Sequence, residues 1–244
     1  MKLTFLGTSH GHPGKNRFSS SVMVEIGEKI YIVDAGAPVS EMLFQRGISF
    51  DKVEAIFITH CHSDHVNGLP FFASLADSHV FPDCHTGIYI PDDVYREALE
   101  KTIEADKGRR LVRVRCNIYS DGAFFDDRTV KMTAIPNRHM EAQNGKSYSF
   151  VFEAEGKSIL FTGDLTHKMD DFPKIAFEKH FDCTVSECAH ATVEGFEKNL
   201  LRFDSDKVVV THVFPDSKFC ELENLKDVKG NNVIIANDND EINI

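Results

Sequence analysis

The sequence predicts a single α/β domain in which strands outnumber helices. Its 244 residues are 42% hydrophobic and 27% charged, a balance typical of a globular protein with one substantial core. Apolar runs bounded by Gly, Asn or Asp recur along the chain, and segments with helical periodicity separate several of them. No repeat or low-complexity linker divides the chain, so we expect one domain over residues 1–244.

The chain begins with strands. Apolar runs predict strands at Leu3–Leu6, Ser21–Ile26 and Lys29–Val33, and Gly27-Glu28 is the expected turn of a hairpin between the last two. Helical spacing follows at Val39–Gln45. The first part of the fold is therefore rich in β-structure.

Three buried strands each lead directly into residues that can bind a metal ion. They are Ala55–Ile58 before Thr59-His60, Ser158–Phe161 before Thr162-Gly163-Asp164, and Lys207–Val210 before Thr211-His212. Strand ends are held by a rigid scaffold, whereas the loops around them shape a pocket. We therefore expect these three strand ends to contribute to one site.

The remaining elements complete a mixed fold. Further strands are predicted at Val112–Ile118, Thr129–Ile135 and Tyr148–Phe152. Helices are predicted at Asp92–Ala105 and Glu194–Leu201, where apolar residues recur with helical spacing.

Charge and cysteine content narrow the function classes. The formal net charge of −11 argues against a broad basic surface for long nucleic acid, but it allows a local positive pocket around metal ions. The six cysteines are scattered without C-x-x-C spacing, which is typical of reduced thiols in the cytoplasm. No apolar run reaches membrane-spanning length, and the N-terminus lacks the pattern of a signal peptide. We expect a cytoplasmic protein that has no membrane partner.

A dense group of ligand-type residues follows the strand that ends before Thr59. His60, His62, Asp64 and His65 lie within six residues. Imidazole nitrogen and carboxylate oxygen suit zinc, manganese or iron, and four such groups from one turn can serve two adjacent ions. A surface turn with solvated histidines is the alternative. It is disfavoured because two distant strand ends complete the set.

These motifs resemble the metallo-β-lactamase superfamily. The pattern is H-x-H-x-D-H, then a later His, Thr-Gly-Asp after one strand and Thr-His after another, and Tyr31–Gly36 is similar to the strand-Asp-x-Gly motif of that superfamily. The resemblance extends over most of the chain. It implies an αββα four-layer sandwich and a hydrolase that binds two divalent metal ions, with zinc as the first candidate and manganese as the second.

The same resemblance implies a role for each ligand. One ion is expected on His60, His62 and His139, the other on Asp64, His65 and His212, and a bridging position is expected for Asp164. Asp64 is also a candidate catalytic residue. A histidine at position 62, where the diiron oxidoreductase branch generally has glutamate, favours the hydrolytic branch. Asp34 is expected to orient a histidine or the loop backbone, with a turn or cap aspartate as the alternative.

The N-terminal segment Phe5–Pro13 resembles the opening of ribonuclease Z and related phosphodiesterases. In those enzymes a further histidine some twenty residues before the last ligand helps to protonate the leaving group. His190 precedes the last ligand by 22 residues and Glu187 is placed to orient it, whereas a structural or solvated histidine is the alternative. The candidate substrate contacts are Ser9, His10 and Arg17, for which solvated loop residues or a surface ion pair are the alternatives.

One departure from ribonuclease Z concerns the substrate. That family inserts a tRNA-gripping arm between its third histidine and its bridging aspartate, whereas only 25 residues separate His139 from Asp164. We therefore do not expect tRNA as a substrate. The spacing resembles small phosphodiesterases that open cyclic or compact phosphodiesters, such as the cyclic-phosphate phosphodiesterases of phosphonate breakdown, but their additional cysteine-ligated zinc is not evident here.

The expected activity is hydrolysis of a small or cyclic phosphodiester or nucleotide by a hydroxide that bridges the two ions. Two alternatives stay open. One is a lactonase, thioesterase or other carbonyl hydrolase that uses the same metal pair, and the other is a noncatalytic metal or ligand carrier. A homodimer is a candidate assembly.

Overall fold

The computed structural model of the chain describes residues 1–12, 14–225 and 232–244. Both strands and helices occur along these ranges. Residue Pro13 of the N-terminal motif lies outside them. Unit 1 comprises Met1–Gly7, Gly11–Tyr119 and Asp238–Asn243, and unit 2 comprises Thr8–His10, Ser120–Asn237 and Ile244. Each unit contains one seven-stranded sheet, which confirms the α/β class. A single domain over 1–244 stays a prediction.

The strands of the unit 1 sheet are β1 (Lys2–Gly7), β2 (Ser21–Ile26), β3 (Lys29–Val33), β4 (Val53–Phe57), β5 (Gly87–Ile90), β6 (Arg115–Ile118) and β14 (Glu241–Asn243). Their order in the sheet is β14-β1-β2-β3-β4-β5-β6. Strands β14, β1, β2 and β3 pair antiparallel, and β3 to β6 pair parallel. Both strands of the predicted hairpin are confirmed at their predicted bounds.

The described residues of unit 1 also form helices. These are α1 (Val39–Gln45), α2 (Ser63–Val66), α3 (Leu69–Ala76), α4 (Asp93–Lys107) and the 3-10 helix Phe50–Lys52.

Helix α4 has clear signals at both ends. The Asp92 side chain accepts a hydrogen bond from Tyr95 N at 3.0 Å, which satisfies one of the N–H groups left without a partner in the first turn. Gly108 ends the helix with a left-handed φ of 64°, a conformation that costs glycine little.

The strands of the unit 2 sheet are β7 (Gly122–Asp126), β8 (Lys131–Pro136), β9 (Tyr148–Ala154), β10 (Lys157–Phe161), β11 (Cys183–Cys188), β12 (Lys207–Val213) and β13 (Asn232–Ile235). Their order in the sheet is β13-β12-β11-β10-β9-β8-β7. Strands β7 to β10 pair antiparallel, and β10 to β13 pair parallel. In the described residues of this unit, the helices are α5 (Val193–Leu200), α6 (Lys218–Glu223) and the 3-10 helices Glu141–Gln143 and Lys174–Phe177.

Each unit has its own apolar core. In unit 1 the Phe50 ring lies 4.9 Å from the Phe72 ring and 4.8 Å from the Phe81 ring, and in unit 2 Phe172 stacks on Phe203 at 5.3 Å. Burying each such side chain contributes about 1.5–3 kcal/mol. None of the helices in the described ranges is both long enough and apolar enough to cross a membrane.

The predicted strand Val112–Ile118 begins three residues later than expected, at Arg115. The reason is Asp77, a fully buried carboxylate at the end of α3. Its Oδ1 accepts hydrogen bonds from the backbone N–H groups of Val112 at 2.7 Å and Arg113 at 2.6 Å. These N–H groups therefore do not enter the sheet.

Asp77→Ala is expected to lower the free energy of unfolding by about 2–3 kcal/mol, because the N–H groups of Val112 and Arg113 and the Arg109 guanidinium, 2.5 Å away, lose a buried, charged acceptor. Burial raises the Asp77 pKa, but hydrogen bonds from Arg113, Val112 and Arg109 outweigh burial and the net shift is downward. The contribution is therefore complete above the unfolded-state pKa near 3.9 and is lost as pH falls through the lower folded-state pKa.

Thermal unfolding in EDTA at pH 7 and pH 3.5 measures this difference. The gap between the parent protein and Asp77→Ala should narrow at the lower pH. Replacement of the exposed Asp83 by alanine is the matched control and should leave the midpoint unchanged. Equal midpoints for both variants at pH 7 would show that Asp77 contributes nothing.

Candidate metal centre

Left-handed backbone conformations occur at or near the ends of three strands that carry ligand-type residues. Asp34 after β3 has φ 59°, Gly163 after β10 has φ 59°, and His212, the second-last residue of β12, has φ 52°. Glycine takes this conformation at little cost, and aspartate and histidine tolerate it better than most residues. Each of these positions is a ligand-type residue or directly precedes one.

The conformation of His212 comes from an irregularity in the sheet. Thr211 pairs with Glu187 and Val213 pairs with Cys188, so the register shifts and His212 is an extra residue on β12. A bulge of this kind redirects the extra side chain, and such bulges are enriched beside active sites. The His212 N–H donates to the Thr8 carbonyl at 3.1 Å, which anchors the bulge.

In unit 1, four of the predicted ligands form one cluster after β4. His60 Nε2 lies 3.0 Å from His62 Nδ1, and His65 Nε2 lies 3.4 Å from Asp64 Oδ2. The rings of His60 and His65 are 4.1 Å apart. His60, Asp64 and His65 are buried, whereas His62 is half-buried. The short helix α2 holds Asp64 and His65 next to each other in this cluster.

The Asp34 carboxylate contacts both Thr59, which precedes the cluster, and His65 of the cluster. Its carboxylate accepts hydrogen bonds from Thr59 N at 2.8 Å and from Thr59 Oγ1 at 2.9 Å, and it lies 2.7 Å from His65 Nδ1. Thr59 Oγ1 in turn lies 3.1 Å from His60 Nδ1. These contacts occupy Nδ1 of both imidazoles, so Nε2 is the nitrogen on each ring that faces the other ligand-type atoms.

Cys61 lies inside the histidine motif but belongs to the core. It packs against the apolar cluster of unit 1, and burial raises the pKa of its thiol to about 12. A metal binds the thiolate form of cysteine, whereas this thiol is protonated at neutral pH. All six cysteines are free thiols, in agreement with the sequence.

In unit 2, the Asp164 carboxylate is the centre of a second cluster. Its Oδ2 lies 3.2 Å from His212 Nε2, 3.7 Å from His139 Nε2 and 3.9 Å from His190 Nδ1. Asp164 and His212 are buried. One carboxylate oxygen therefore has three imidazoles around it, and two of them are predicted ligands of different ions.

His139 is oriented by the loop that follows β10. Its Nδ1 lies 3.2 Å from the Leu165 carbonyl oxygen, so Nε2 is the nitrogen that faces Asp164. Burial lowers the pKa of His139 below its ordinary value, although the nearby Asp164 carboxylate acts in the opposite direction. The neutral imidazole, which is the form that binds a metal, is thereby favoured.

The buried Glu187 carboxylate holds His190. Glu187 Oε1 lies 3.1 Å from His190 Nδ1, and Oε2 accepts hydrogen bonds from Ala189 N at 2.6 Å and His190 N at 3.1 Å. The His190 ring lies 4.6 Å from the His139 ring. Because Nδ1 faces Glu187, Nε2 is the nitrogen that can exchange a proton with another molecule.

An open cleft of about 540 Å³ lies beside this second cluster. His139 and His190 line it, and 35% of the His190 side chain is exposed. The other lining residues are Arg138, Glu141, Ala142, Leu165, Thr166 and His167. A small molecule can therefore reach His190 directly.

The three candidate substrate contacts fall in different places. Ser9 is buried in unit 2, and His10 of the same segment has its ring 4.0 Å from Phe214 and 6.4 Å from His212. Arg17 belongs to unit 1 and is half-buried. The structure therefore brings His10 near a predicted ligand of its own unit.

The donor atoms of both clusters suit divalent metal ions. Those in unit 1 are three imidazoles and a carboxylate, and in unit 2 the candidate ligand atoms of Asp164, His190 and His212 lie within 4.8 Å of one another. Nitrogen and oxygen donors without thiolate fit zinc or manganese. The chemistry of the residues therefore fits metal binding.

Sequence reasoning missed three residues that contact the clusters. Thr59 had a signal, because a threonine also lies just before or near the ligands at the other two strand ends. His167, whose Nδ1 lies 2.7 Å from the His190 carbonyl oxygen, and Lys218, which binds the same loop, had no local signal. Their positions depend on how distant segments pack.

The comparisons with known proteins agree with this fold. Ribonuclease Z of Leuconostoc mesenteroides is 31% identical to this chain over 146 residues, which cover 57% of this chain and 45% of that protein. The chain spans about half the length of the curated relatives that it matches. Their shared name confirms the resemblance to ribonuclease Z that the N-terminal motif indicated.

Two solved structures share the fold. Human tRNase Z, short form, has a TM-score of 0.75 and 21% identity, and the match covers 100% of this chain and 99% of that chain. The metallo-β-lactamase fold protein YhfI from Bacillus subtilis has a TM-score of 0.76 and 17% identity, with 99% of each chain covered. The predicted metallo-β-lactamase fold is therefore confirmed.

Residues 1–218 match the protein family that is described as Anti-Pycsar protein Apyc1. All seven predicted metal ligands lie within these residues. This match extends over most of the chain and includes both clusters. The chain therefore belongs to the Anti-Pycsar protein Apyc1 family, within the metallo-β-lactamase fold.

Proposed function

We propose that this chain is a dinuclear metal-dependent phosphodiesterase that hydrolyses a small or cyclic phosphodiester or nucleotide. The observation that carries the proposal is the position of Asp164 Oδ2, which lies 3.2 Å from His212 Nε2 and 3.7 Å from His139 Nε2. A single oxygen between imidazoles of two predicted ion sites is the arrangement expected of a bridging carboxylate.

The ligand assignment follows the resemblance. The first ion is held by His60, His62 and His139, the second by Asp64, His65 and His212, and Asp164 is shared. Support comes from the close pairs His60–His62 at 3.0 Å and Asp64–His65 at 3.4 Å, each of which falls within the set proposed for one ion. Zinc is the first candidate metal and manganese the second.

Metal ions in such a site lower the pKa of a water molecule and stabilise negative charge on the phosphoryl oxygens. The protein residues supply the proton that the leaving group needs. Hydrolysis forms a P–O bond to the water oxygen, which gives up a proton to the solvent, and breaks the P–O bond to the leaving group, whose oxygen must gain a proton. We assign this proton to His190 Nε2, because Glu187 holds Nδ1 at 3.1 Å and the ring lines an open cleft.

A phosphoester is preferred over a carbonyl substrate because the relatives of this chain are named for cleavage of RNA, which is a phosphodiester. A compact substrate is preferred because 25 residues separate His139 from Asp164, where the resemblance implies an inserted tRNA-gripping arm in ribonuclease Z. The net charge of −11 also disfavours a long polyanion.

A substrate panel tests the proposal. Protein reloaded with zinc or manganese is assayed on bis(4-nitrophenyl) phosphate, cyclic nucleotides, a lactone and a thioester. We expect the phosphodiesters to be hydrolysed, and we expect this activity to stop in EDTA and to return with added metal. The control variant Asp206→Ala, which removes an exposed carboxylate, should have the same activity as the parent protein. Turnover of the lactone or thioester alone would favour a carbonyl hydrolase, and no turnover would favour a metal or ligand carrier.

Precursor tRNA should be a poor substrate. The short segment between His139 and Asp164 leaves no arm to bind the body of the tRNA, and the acidic surface repels its phosphates. Gel analysis of a 3′-extended precursor at physiological salt, with a ribonuclease Z as positive control, measures this. Efficient cleavage at the 3′ trailer would contradict the proposed compact substrate.

A further inference from the structure

The loop that carries His190 is bound by a lysine of α6, the helix that follows β12. Lys218 is the first residue of α6, and its ammonium group donates hydrogen bonds to the carbonyl oxygens of Cys188 at 2.9 Å, of Ala189 at 2.8 Å and of Ala191. An ammonium group has three N–H donors, so all of them are used on this one loop. The side chain is half-buried.

The loop is held from both sides. Glu187 accepts hydrogen bonds from the backbone N–H groups of Ala189 and His190, whereas Lys218 binds the carbonyl groups. The His190 carbonyl oxygen, which Lys218 does not bind, lies 2.7 Å from His167 Nδ1. An irregular loop has no ladder to satisfy its backbone polar groups, so these side chains determine its conformation.

Lys218 also connects this loop to a predicted metal ligand. It lies six residues after His212, on the helix that follows β12, and its own N–H donates to the Pro215 carbonyl at 2.9 Å. The rings of His190 and His212 lie 5.8 Å apart at an interplanar angle of 26°. Lys218 therefore links the segment after β12 to the loop after β11.

We propose that Lys218 is a positioning residue, which fixes the backbone of Cys188–Ala191 so that His190 stays in place to protonate the leaving group. This role rests on the proposed function. Lys218 acts through His190 and does not touch the substrate. Without the ammonium group, three carbonyl groups lose their partner and the loop spends less time in the productive geometry.

Lys218→Met retains the length of the side chain and removes the charge and the donors. On a phosphodiester with an alkyl leaving group, kcat should fall by about 10–100-fold, the usual cost of losing a residue that orients a functional group. On bis(4-nitrophenyl) phosphate, whose leaving group departs without a proton, the loss should stay below about threefold. Metal content should not change.

Lys198→Met is the matched control, because Lys198 is an exposed lysine on α5 that pairs with Glu194 at 2.8 Å. It should leave both rates unchanged. The double variant Lys218→Met/His190→Ala should be no slower on the alkyl ester than His190→Ala alone, because Lys218 acts only through that histidine. Losses that multiply in the double variant would overturn the proposal.

Hydrogen exchange of the metal-free protein gives a readout that does not depend on activity. In Lys218→Met the amides of Ala189, His190 and Ala191 should exchange faster, while those of β10 to β12 keep their protection and show that the variant is folded. Unchanged exchange in the loop, or equal losses on both substrates, would overturn the role of Lys218. A parent protein that hydrolyses no phosphodiester would overturn the proposed function instead.

Discussion

Asp164→Ala is expected to remove both metal ions and to abolish hydrolysis. Its Oδ2 lies 3.7 Å from His139 Nε2 and 3.2 Å from His212 Nε2, and we assign those histidines to different ions. Loss of a shared carboxylate also leaves the buried imidazoles without a negative partner. The fall in kcat should exceed the 10–100-fold typical for loss of an outer residue beside a metal site.

Elemental analysis together with kinetics on bis(4-nitrophenyl) phosphate measures both effects in one preparation. Asp206→Ala, which removes an exposed carboxylate of the same unit, is the control and should retain metal and activity. Asp164→Asn should also lose metal, because the amide keeps the shape but not the charge. An Asp164→Ala protein that keeps one ion and its activity would contradict the bridging role.

His190→Ala is expected to lower kcat by about 10²–10⁴-fold for a phosphodiester with an alkyl leaving group. An alkoxide needs a proton as it departs, and His190 is the imidazole on the open cleft whose Nδ1 faces Glu187. With nitrophenolate as the leaving group the loss should be far smaller, because that anion is stable without a proton. Metal content should stay at the parent value.

The comparison of the two leaving groups is internal to the variant, so it is insensitive to the concentration of active protein. His180→Ala is the control, because this exposed histidine of unit 2 pairs with Asp204 at 3.2 Å and lies away from both clusters in the sequence. Equal losses on the two substrates, or loss of metal, would mean that His190 is a ligand or a structural residue.

The elements that carry the ligands were predictable because their signals are local. A buried strand is recognised in sequence as an apolar run with a polar end. The predicted strands Ser158–Phe161 and Lys207–Val210 lie inside β10 and β12, and Ala55–Ile58 extends one residue beyond the end of β4. The close spacing of the histidines after β4 indicated a cluster, and the structure groups them within 3.0–3.4 Å contacts.

Other elements were missed because their signals are weak or distant. Strands β5 and β14 have four and three residues, too few for a periodic pattern to be recognised. The start of β6 depends on Asp77, which lies 35 residues before Val112 and removes its N–H from the sheet. Such long-range hydrogen bonds are invisible to a reading of local spacing.

In the candidate site too, some residues were predictable from the sequence, whereas their long-range contacts were not. Asp34 was predicted from the resemblance of Tyr31–Gly36 to a superfamily motif, but its contact with Thr59 follows from the pairing of β3 with β4. The contacts of Lys218 with the His190 loop span 27–30 residues and come from the way α6 packs near β11. The roles of the seven predicted ligands stay predictions until metal binding is measured.

The metal content of the purified protein tests the central proposal most directly. Seven ligand-type residues are too many for one tetrahedral zinc ion, so elemental analysis should find close to two divalent ions per chain. Removal of the metal with EDTA should abolish phosphodiester hydrolysis, and two equivalents of zinc or manganese should restore it. Protein that contains no metal and is not activated by added zinc or manganese would contradict the proposed dinuclear centre.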